Sequence, residues 1–590
     1  MVSIEELTRL DTSKFTKAAD GWSTISHRAH AYRERVDHDM LSKLRATQQG
    51  AAATAVLSDL DRLSKNYQYV HAEGGLIRTA LQGLAEELAV PQRKLKQALE
   101  DARGLGFTVK PNGSVEYPKT QGAPSPLLPT PAAPGAMPSL LKPDSTPDAN
   151  QAKAQDIANR IGEALKEATE IDGRYARAIA KLSTDGDLKK TDWTDVARDT
   201  KDLRAAAGKH LPESGIPKGK SPKENAEWWK SRSQAEREEY TALYPASIGA
   251  LNGIPSATRD EANQVVLAET RADVNQQLKD LVAREPQRYV MRTGQQTVSQ
   301  EWMVWKEKKE SIEGKLDGLE AIQDRLAQAG GDERIPKAYL LGLDARGDGH
   351  AIVANGNPDT AAHTAVYIPG TYSNLAGAEG DIGRMVRLWK VSDGMPGNPD
   401  VSTITWIGYD APQSIVPQAM SKSYAYNGES ALNGFMDGLQ VAQGGADKSH
   451  TTIIGHSYGS TLVGAAANKG ELAADDVVVA GSPGTLVSDA DKLDVGKDHV
   501  WSERASDDPV PLGGKIAGLG GVQRVVVNGG DRENGGYVEY IHVVPSDEEF
   551  GAHRMKVDTK GHSGYWDERS ISLRNQAAVV TRRYDMVESE

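Results

Sequence analysis

The chain has 590 residues, a mass of 63.5 kDa and a formal net charge of −13, from 69 Lys and Arg against 82 Asp and Glu. That length allows about two to four structural units with sizeable cores, and the acidic balance argues against nucleic acid or an anionic membrane surface as the main partner. With no cysteine there is no disulfide scaffold, thiol nucleophile or thiolate metal site, and with no long apolar run there is no expected transmembrane helix.

The first residues, MVSIEELTRLD, lack the basic and apolar regions of a secretory signal, so the protein is expected in the cytoplasm or exported without a cleavable signal. Residues 1–117 read as long helices. Apolar residues recur at helical spacing, as at Leu57, Leu60 and Leu63 and again at Leu81, Leu84 and Leu88. A Gly/Ala patch at 50–55 sits where two helices meet, so a helical hairpin or bundle that mediates self-association or binds a protein partner is expected. Nine of the 28 prolines then fall between 118 and 147. Proline removes backbone donors and fixes φ, so this stretch is expected to be an extended, protease-sensitive linker.

Helices resume over 152–182, 193–211, 227–243, 258–283 and 298–329, with a turn-rich interruption marked by Asn252-Gly253 and Pro255. No comparable linker follows, so residues 148–334 are expected to pack on the domain after them. From about 335 the chain changes to short β-branched runs separated by Gly, Asn and Asp. Strands are expected at 338–343, 351–353, 363–368, 403–408, 451–454, 476–480, 499–503 and 554–558, with helices between them at 381–390, 430–443 and 460–469. This alternation implies an α/β domain over 335–590, a mostly parallel sheet with helices on both faces, behind an all-α N-terminal half.

Residues 451–459 read TTIIGHSYG and contain G-x-S-x-G as Gly455, His456, Ser457, Tyr458 and Gly459. In a chain this rich in Gly and Ser, chance alone gives roughly 0.4 such matches, so the setting decides. A β-branched run precedes the motif and an Ala/Leu-rich helix continues it. That is the strand–turn–helix context of a nucleophile elbow, with Ser457 as nucleophile.

Its base and acid are expected downstream, the acid first. Four of the 13 histidines follow Ser457. His499 and His553 begin strands, at the wrong end of the sheet, and His542 lies in the apolar run YIHVVP. His562 follows a strand in the loop KGHSGYW, at the right end, and is the expected base. Asp508, ahead of Pro509 in RASDDPV, is the expected acid, with Asp507 as the alternate. Two backbone donors are needed for a developing oxyanion. Tyr458 N–H is one; Thr371 is the other, with Gly370 the remaining choice, because Pro369 has no N–H. The segments 375–380 and 415–426 follow strands on the same edge and are expected to shape or cover an acyl pocket.

Taken together, VYIPGTYSN (366–374), WIGYDAP (406–412), GHSYGS (455–460), VAGSPG (479–484), SDDPV (506–510) and GHSGYW (561–566) resemble an actinobacterial α/β-hydrolase family known as a domain of unknown function. The segment at 236–263, EREEYTALYPASIGALNGIPSATRDEAN, resembles the region that precedes the hydrolase domain there. The resemblance implies an α/β-hydrolase fold and a Ser457, Asp508, His562 triad cleaving carboxylic esters through an acyl-enzyme, and leaves the substrate open. The alternatives are an amidase or peptidase with the same triad, or a non-catalytic assembly or secretion-associated protein that uses the fold as a scaffold. The N-terminal helices also resemble the helical-hairpin proteins of type VII secretion, with Gln48-Gln49-Gly50 where those have Trp-x-Gly, and Tyr584-x-x-x-Glu588 resembles their export signal.

No cofactor or metal is expected. GIPKGKS (215–221) departs from a phosphate loop because only three residues separate its glycines and no strand precedes it. DARGDG (344–349) places Arg346 at a calcium-ligand position and reads as a hairpin turn.

Overall fold

The computed structural model describes residues 1–118, 149–182, 191–292, 295–328, 335–397, 399–470, 472–527 and 537–590. The linker expected over 118–147 lies, apart from Pro118, outside the described residues. The rest forms two compact units, and neither follows chain order.

The first unit comprises Met1–Tyr32, Asn66–Gly215 and Glu238–Leu243. It contains most of α1 (Ser13–Arg35) and α2 (Ala51–Gly104) together with α3 (Ala149–Ile179) and α4 (Trp193–Ala207). Ser26 Oγ lies 2.9 Å from His71 Nδ1, and the Tyr32 and Tyr67 rings are 5.7 Å apart, so α1 and α2 pack side by side. The chain reverses between them at Gly50, whose φ of +103° suits glycine alone. α3 buries Ala154, Ile157, Ile161, Ala164, Ala168, Ile171 and Tyr175, a stripe at intervals of three and four that a helix turns to one side.

The second unit comprises Arg33–Lys65, Ile216–Arg237 and Tyr244–Glu590. The one helix expected over 227–243 is two, α5 (Pro222–Ser231) in this unit and α6 (Gln234–Leu243), whose residues from Glu238 belong to the first. Arg232 is extended, and Ser233 and Glu236 exchange hydrogen bonds of 2.8 and 3.2 Å in a capping box that starts α6 afresh. Two long helices follow, α7 (Ser256–Val282) and α8 (Gln300–Ala327).

The sheet has eight strands: β1 (Ala338–Asp344), β2 (His350–Asn355), β3 (His363–Ile368), β4 (Val401–Ile407), β5 (His450–His456), β6 (Asp476–Ala480), β7 (Val500–Glu503) and β8 (His553–Met555). Their order is β8-β7-β6-β5-β3-β4-β2-β1, and all neighbours are parallel except β1 with β2 and β2 with β4. Helices cover both faces, so the strands read as continuous apolar runs. α10 (Ser423–Gln443) and α11 (Tyr458–Lys469) pack Phe435 and Leu462 on one face with Ile453; α9 (Ala378–Asp393) and α13 (Ile571–Val580) pack Met385 and Leu573 on the other with Ile454. α12 (Val510–Ala517) follows β7.

A separate hairpin, Gly521–Val527 with Tyr537–Val543, holds the YIHVVP run. His542 is exposed there, on an edge strand of this two-stranded sheet and not in the core. The strand expected over 554–558 is confined to β8, and Lys556 N–H instead donates to Glu588 O. No helix among the described residues is long and apolar enough to cross a membrane.

The outer edge of β1 is closed by polar side chains of α7. Arg259 donates to Leu341 O at 2.6 Å, Asn263 donates to Leu340 O at 3.0 Å, and Asp260 accepts from Leu340 N–H at 2.8 Å. Leu341 is the extra residue of a bulge, so its carbonyl turns away from β2. All three side chains are buried, which leaves no water to replace them. Asn263→Ala is therefore expected to destabilise the protein by about 1–3 kcal/mol, since Leu340 O loses its donor in a dry site and Gly249 O keeps only Arg259. Exposed Asn275→Ala on the same helix should stay within about 0.5 kcal/mol. Denaturant unfolding of both variants checks the contrast.

Candidate active site

β5 ends at His456 and α11 begins at Tyr458, so Ser457 is the single residue of the turn. Its backbone takes φ +53° and ψ −131°, a conformation held by a non-glycine residue only under constraint. The constraint comes from both sides. A Cβ on Gly455 would lie 2.6 Å from Ser460 Cα, and one on Gly459 would lie 2.1 Å from Ile368 O. Lacking side chains at both positions, α11 folds back over β5 and against the end of β3. Ser457 N–H donates to Ala480 O at 3.0 Å, tying the turn to β6. The residue borders a cavity of about 490 Å³ that Thr371, Tyr458 and His562 also line.

β7 leads into Asp508, and the loop after β8 carries His562. Asp508 Oδ2 lies 2.8 Å from His562 Nδ1 and accepts from Tyr565 O–H at 2.6 Å, while Oδ1 accepts from Val510 N–H at 2.9 Å. Burial works to raise the Asp508 pKa, but these hydrogen bonds, His562 foremost, outweigh it and hold the carboxyl below its ordinary value. With Nδ1 donating to the carboxylate, Nε2 of a neutral ring carries the free lone pair. That Nε2 is buried without a hydrogen-bond partner, and no hydrogen bond joins it to Ser457. Asp507 plays another part: its Oδ1 accepts from Gly561 N–H at 2.8 Å and so fixes the loop just ahead of His562.

Gly481, at the end of β6, has φ +56°, and a Cβ on it would lie 2.7 Å from Asp508 Oδ2 and 3.0 Å from the His562 ring. Only glycine lets the pair rest on that strand end. In the loop after β3, Tyr372 N–H donates to Pro412 O and Ser373 N–H to Gly370 O. Those two donors are taken, which leaves the N–H groups of Gly370 and Thr371. The loop touches the elbow, for a Cβ on Gly370 would lie 2.6 Å from Ser457 Cβ and 2.9 Å from Tyr458 N.

The sequence model of a family described as α/β hydrolase matches residues 344–517, a span that includes Ser457 and Asp508 and stops short of His562. "Uncharacterized protein Rv2079" of Mycobacterium tuberculosis is 30% identical over 413 residues, covering 64% of this chain and 59% of the relative. "Uncharacterized protein Mb0988c" of Mycobacterium bovis is 30% identical over 197 residues, covering 32% of this chain and 71% of the relative. This chain belongs to the α/β-hydrolase family. It spans 59% of the length of the first of these relatives, and their names carry no substrate.

Other residues of this α/β hydrolase carry no readable signal in the sequence. His456 occupies a free position of G-x-S-x-G, yet it is buried, and its Nε2 donates to His562 O at 2.8 Å. Its ring lies 4.8 Å from that of His562 and 5.0 Å from that of Trp566. Tyr565 O–H, which grips Asp508, also accepts from Ala505 N–H at 3.1 Å. The remaining downstream histidines lie elsewhere: His499 Nδ1 is 3.1 Å from Asp476 at the far end of the sheet, His553 stacks on Trp501, and His542 is exposed. Among the described residues no group of three His, Asp or Glu is placed to hold a metal ion.

Burial, with the charges of His562 and Arg384, pushes the His456 pKa down to about 3 from an ordinary 6.5. Between those values the unfolded chain binds a proton that the folded chain refuses. Stability from this group is therefore complete above pH 6.5 and is lost as pH falls toward 3. His456→Gln keeps a donor for His562 O and is expected to flatten the fall of Tm between pH 6.5 and about 4. Parallel curves for the two proteins would remove His456 as the source.

Proposed function

We propose that this α/β hydrolase cleaves carboxylic esters by a double displacement. The observation that carries the reading is the 2.8 Å hydrogen bond from His562 Nδ1 to a buried Asp508, behind an unpartnered Nε2 on the same cavity as Ser457. His562 Nε2 takes the Ser457 proton as Oγ adds to the ester carbonyl. The tetrahedral oxyanion is met by the N–H groups of Tyr458 and Thr371, and the alcohol leaves with the proton from His562. Water, deprotonated by the same nitrogen, then releases the acid and restores Oγ–H. Asp508 holds the tautomer and stabilises the imidazolium. The Nε2–Oγ hydrogen bond is of the kind that tightens on the substrate. Neither a cofactor nor a metal enters the scheme. The reversal between α1 and α2 at Gly50 supports a further part of the reading, that residues 1–117 bind a protein partner or a second copy.

p-Nitrophenyl esters and a fluorophosphonate probe test the chemistry. Ser457→Ala is expected to lose labelling and about 10³-fold or more in kcat, and Asp508→Asn about 10²-fold or more. Equal rates for Ser457→Ala and the unmodified protein, with no labelling of the folded chain, would leave the scaffold reading instead. An anilide panel separates ester from amide cleavage.

A further inference from the structure

The large apolar side chains left exposed in this hydrolase are unevenly placed. Over 335–590, among the described residues, eleven are exposed, and five of them, Tyr372, Ile415, Val416, Met420 and Ile516, line the cavity that holds Ser457. Val416 is 69% exposed and Ile516 78%. Exposed apolar residues scattered singly need no explanation, but a cluster at one cavity does.

The cavity also divides by chemistry. Its polar side chains come from 371–373, Arg384, 456–458 and 562–563. The segments 415–420 and 510–519 contribute none: the first supplies Ile415, Val416 and Met420, the second Val510, Ile516 and Leu519. A sugar or a peptide lying there would give up its hydrogen bonds to water and receive none in return. An aliphatic chain gives up nothing and covers both segments.

We propose, on the basis of the ester-hydrolase reading above, that the substrate is an ester of a medium- to long-chain aliphatic acid whose acyl chain lies along the 415–420 loop and α12. α12 is short-sided where the chain would pass. Gly513 lines the cavity, and a Cβ built on it meets no atom within 4 Å, so this position is open space that a side chain can fill without disturbing the fold. Each methylene buried along these segments raises kcat/KM by up to about fourfold, the equivalent of ~0.8 kcal/mol.

The test uses the full chain with p-nitrophenyl acetate, butyrate, octanoate and laurate, each below the concentration at which it aggregates. kcat/KM is expected to rise at least about tenfold from acetate to octanoate. Gly513→Phe, which fills the open space, and Ile516→Asp, which charges the rim, should each lower the octanoate-to-acetate ratio by about fivefold or more. A ratio at or below one in the unmodified protein overturns the inference and leaves the hydrolase standing, as does a ratio that neither variant changes. Absence of turnover on every ester overturns the hydrolase reading, and this inference with it.

Discussion

The site rests on one local constraint, the Ser457 backbone held at φ +53°. Such a conformation costs of order 1–3 kcal/mol and persists only where its surroundings leave no alternative. Those surroundings are Gly455 and Gly459, where α11 and the end of β3 come so close to the backbone that no Cβ fits. The same close approach brings the 370–371 loop against Ser457 and Tyr458. Position of the hydroxyl, direction of the Tyr458 N–H and placement of the loop are thus set by one event, the sharp reversal from strand to helix. The strain is borne by the core beneath: β5, β6 and α11 are buried almost without interruption.

A second carboxylate shows what separates a candidate site from a buried polar anchor. Asp476, at the opposite end of β6, receives His450 at 2.7 Å, His499 at 3.1 Å, Trp501 at 3.0 Å and Tyr584 at 2.7 Å. Burial raises its pKa, and these donors more than offset it, as they do at Asp508. The chemistry of the two ends is nearly the same. What differs is the glycine-lined strand end at Gly481, the cavity, and the histidine nitrogen that faces it with nothing to bind.

Much of the α/β architecture is legible in the sequence because a doubly covered parallel sheet demands short β-branched runs broken by turn residues. The runs at 363–368 and 476–480 coincide with β3 and β6. Ser457 is legible through its paired glycines, and Asp508 and His562 through their places after strands; the structure brings Asp508 and His562 to each other. What is not legible depends on contacts between distant segments. The role of His456 arises from a carbonyl 106 residues away. The clamp of α7 on β1 uses Arg259, Asp260 and Asn263, which on a helix read as side chains that face water. The break at Arg232 was hidden because the apolar spacing continues across it, and the capping box that causes it is visible only once Ser233 is known to begin a helix.

Asp508 and α12 are neighbours in the chain, separated by Pro509 alone, and Val510 both donates to the Asp508 carboxylate and lines the cavity. An insertion or deletion there would move the acid together with the cavity wall. The 415–420 segment carries no such burden, for it joins β4 to α10 and holds none of the residues that meet at Ser457. Natural variation in this family can therefore lengthen, shorten or rewrite that loop while Ser457, Asp508 and His562 stay where they are. The two sides of the cavity should evolve at different rates, one tied to the chemistry and the other free to follow the ligand.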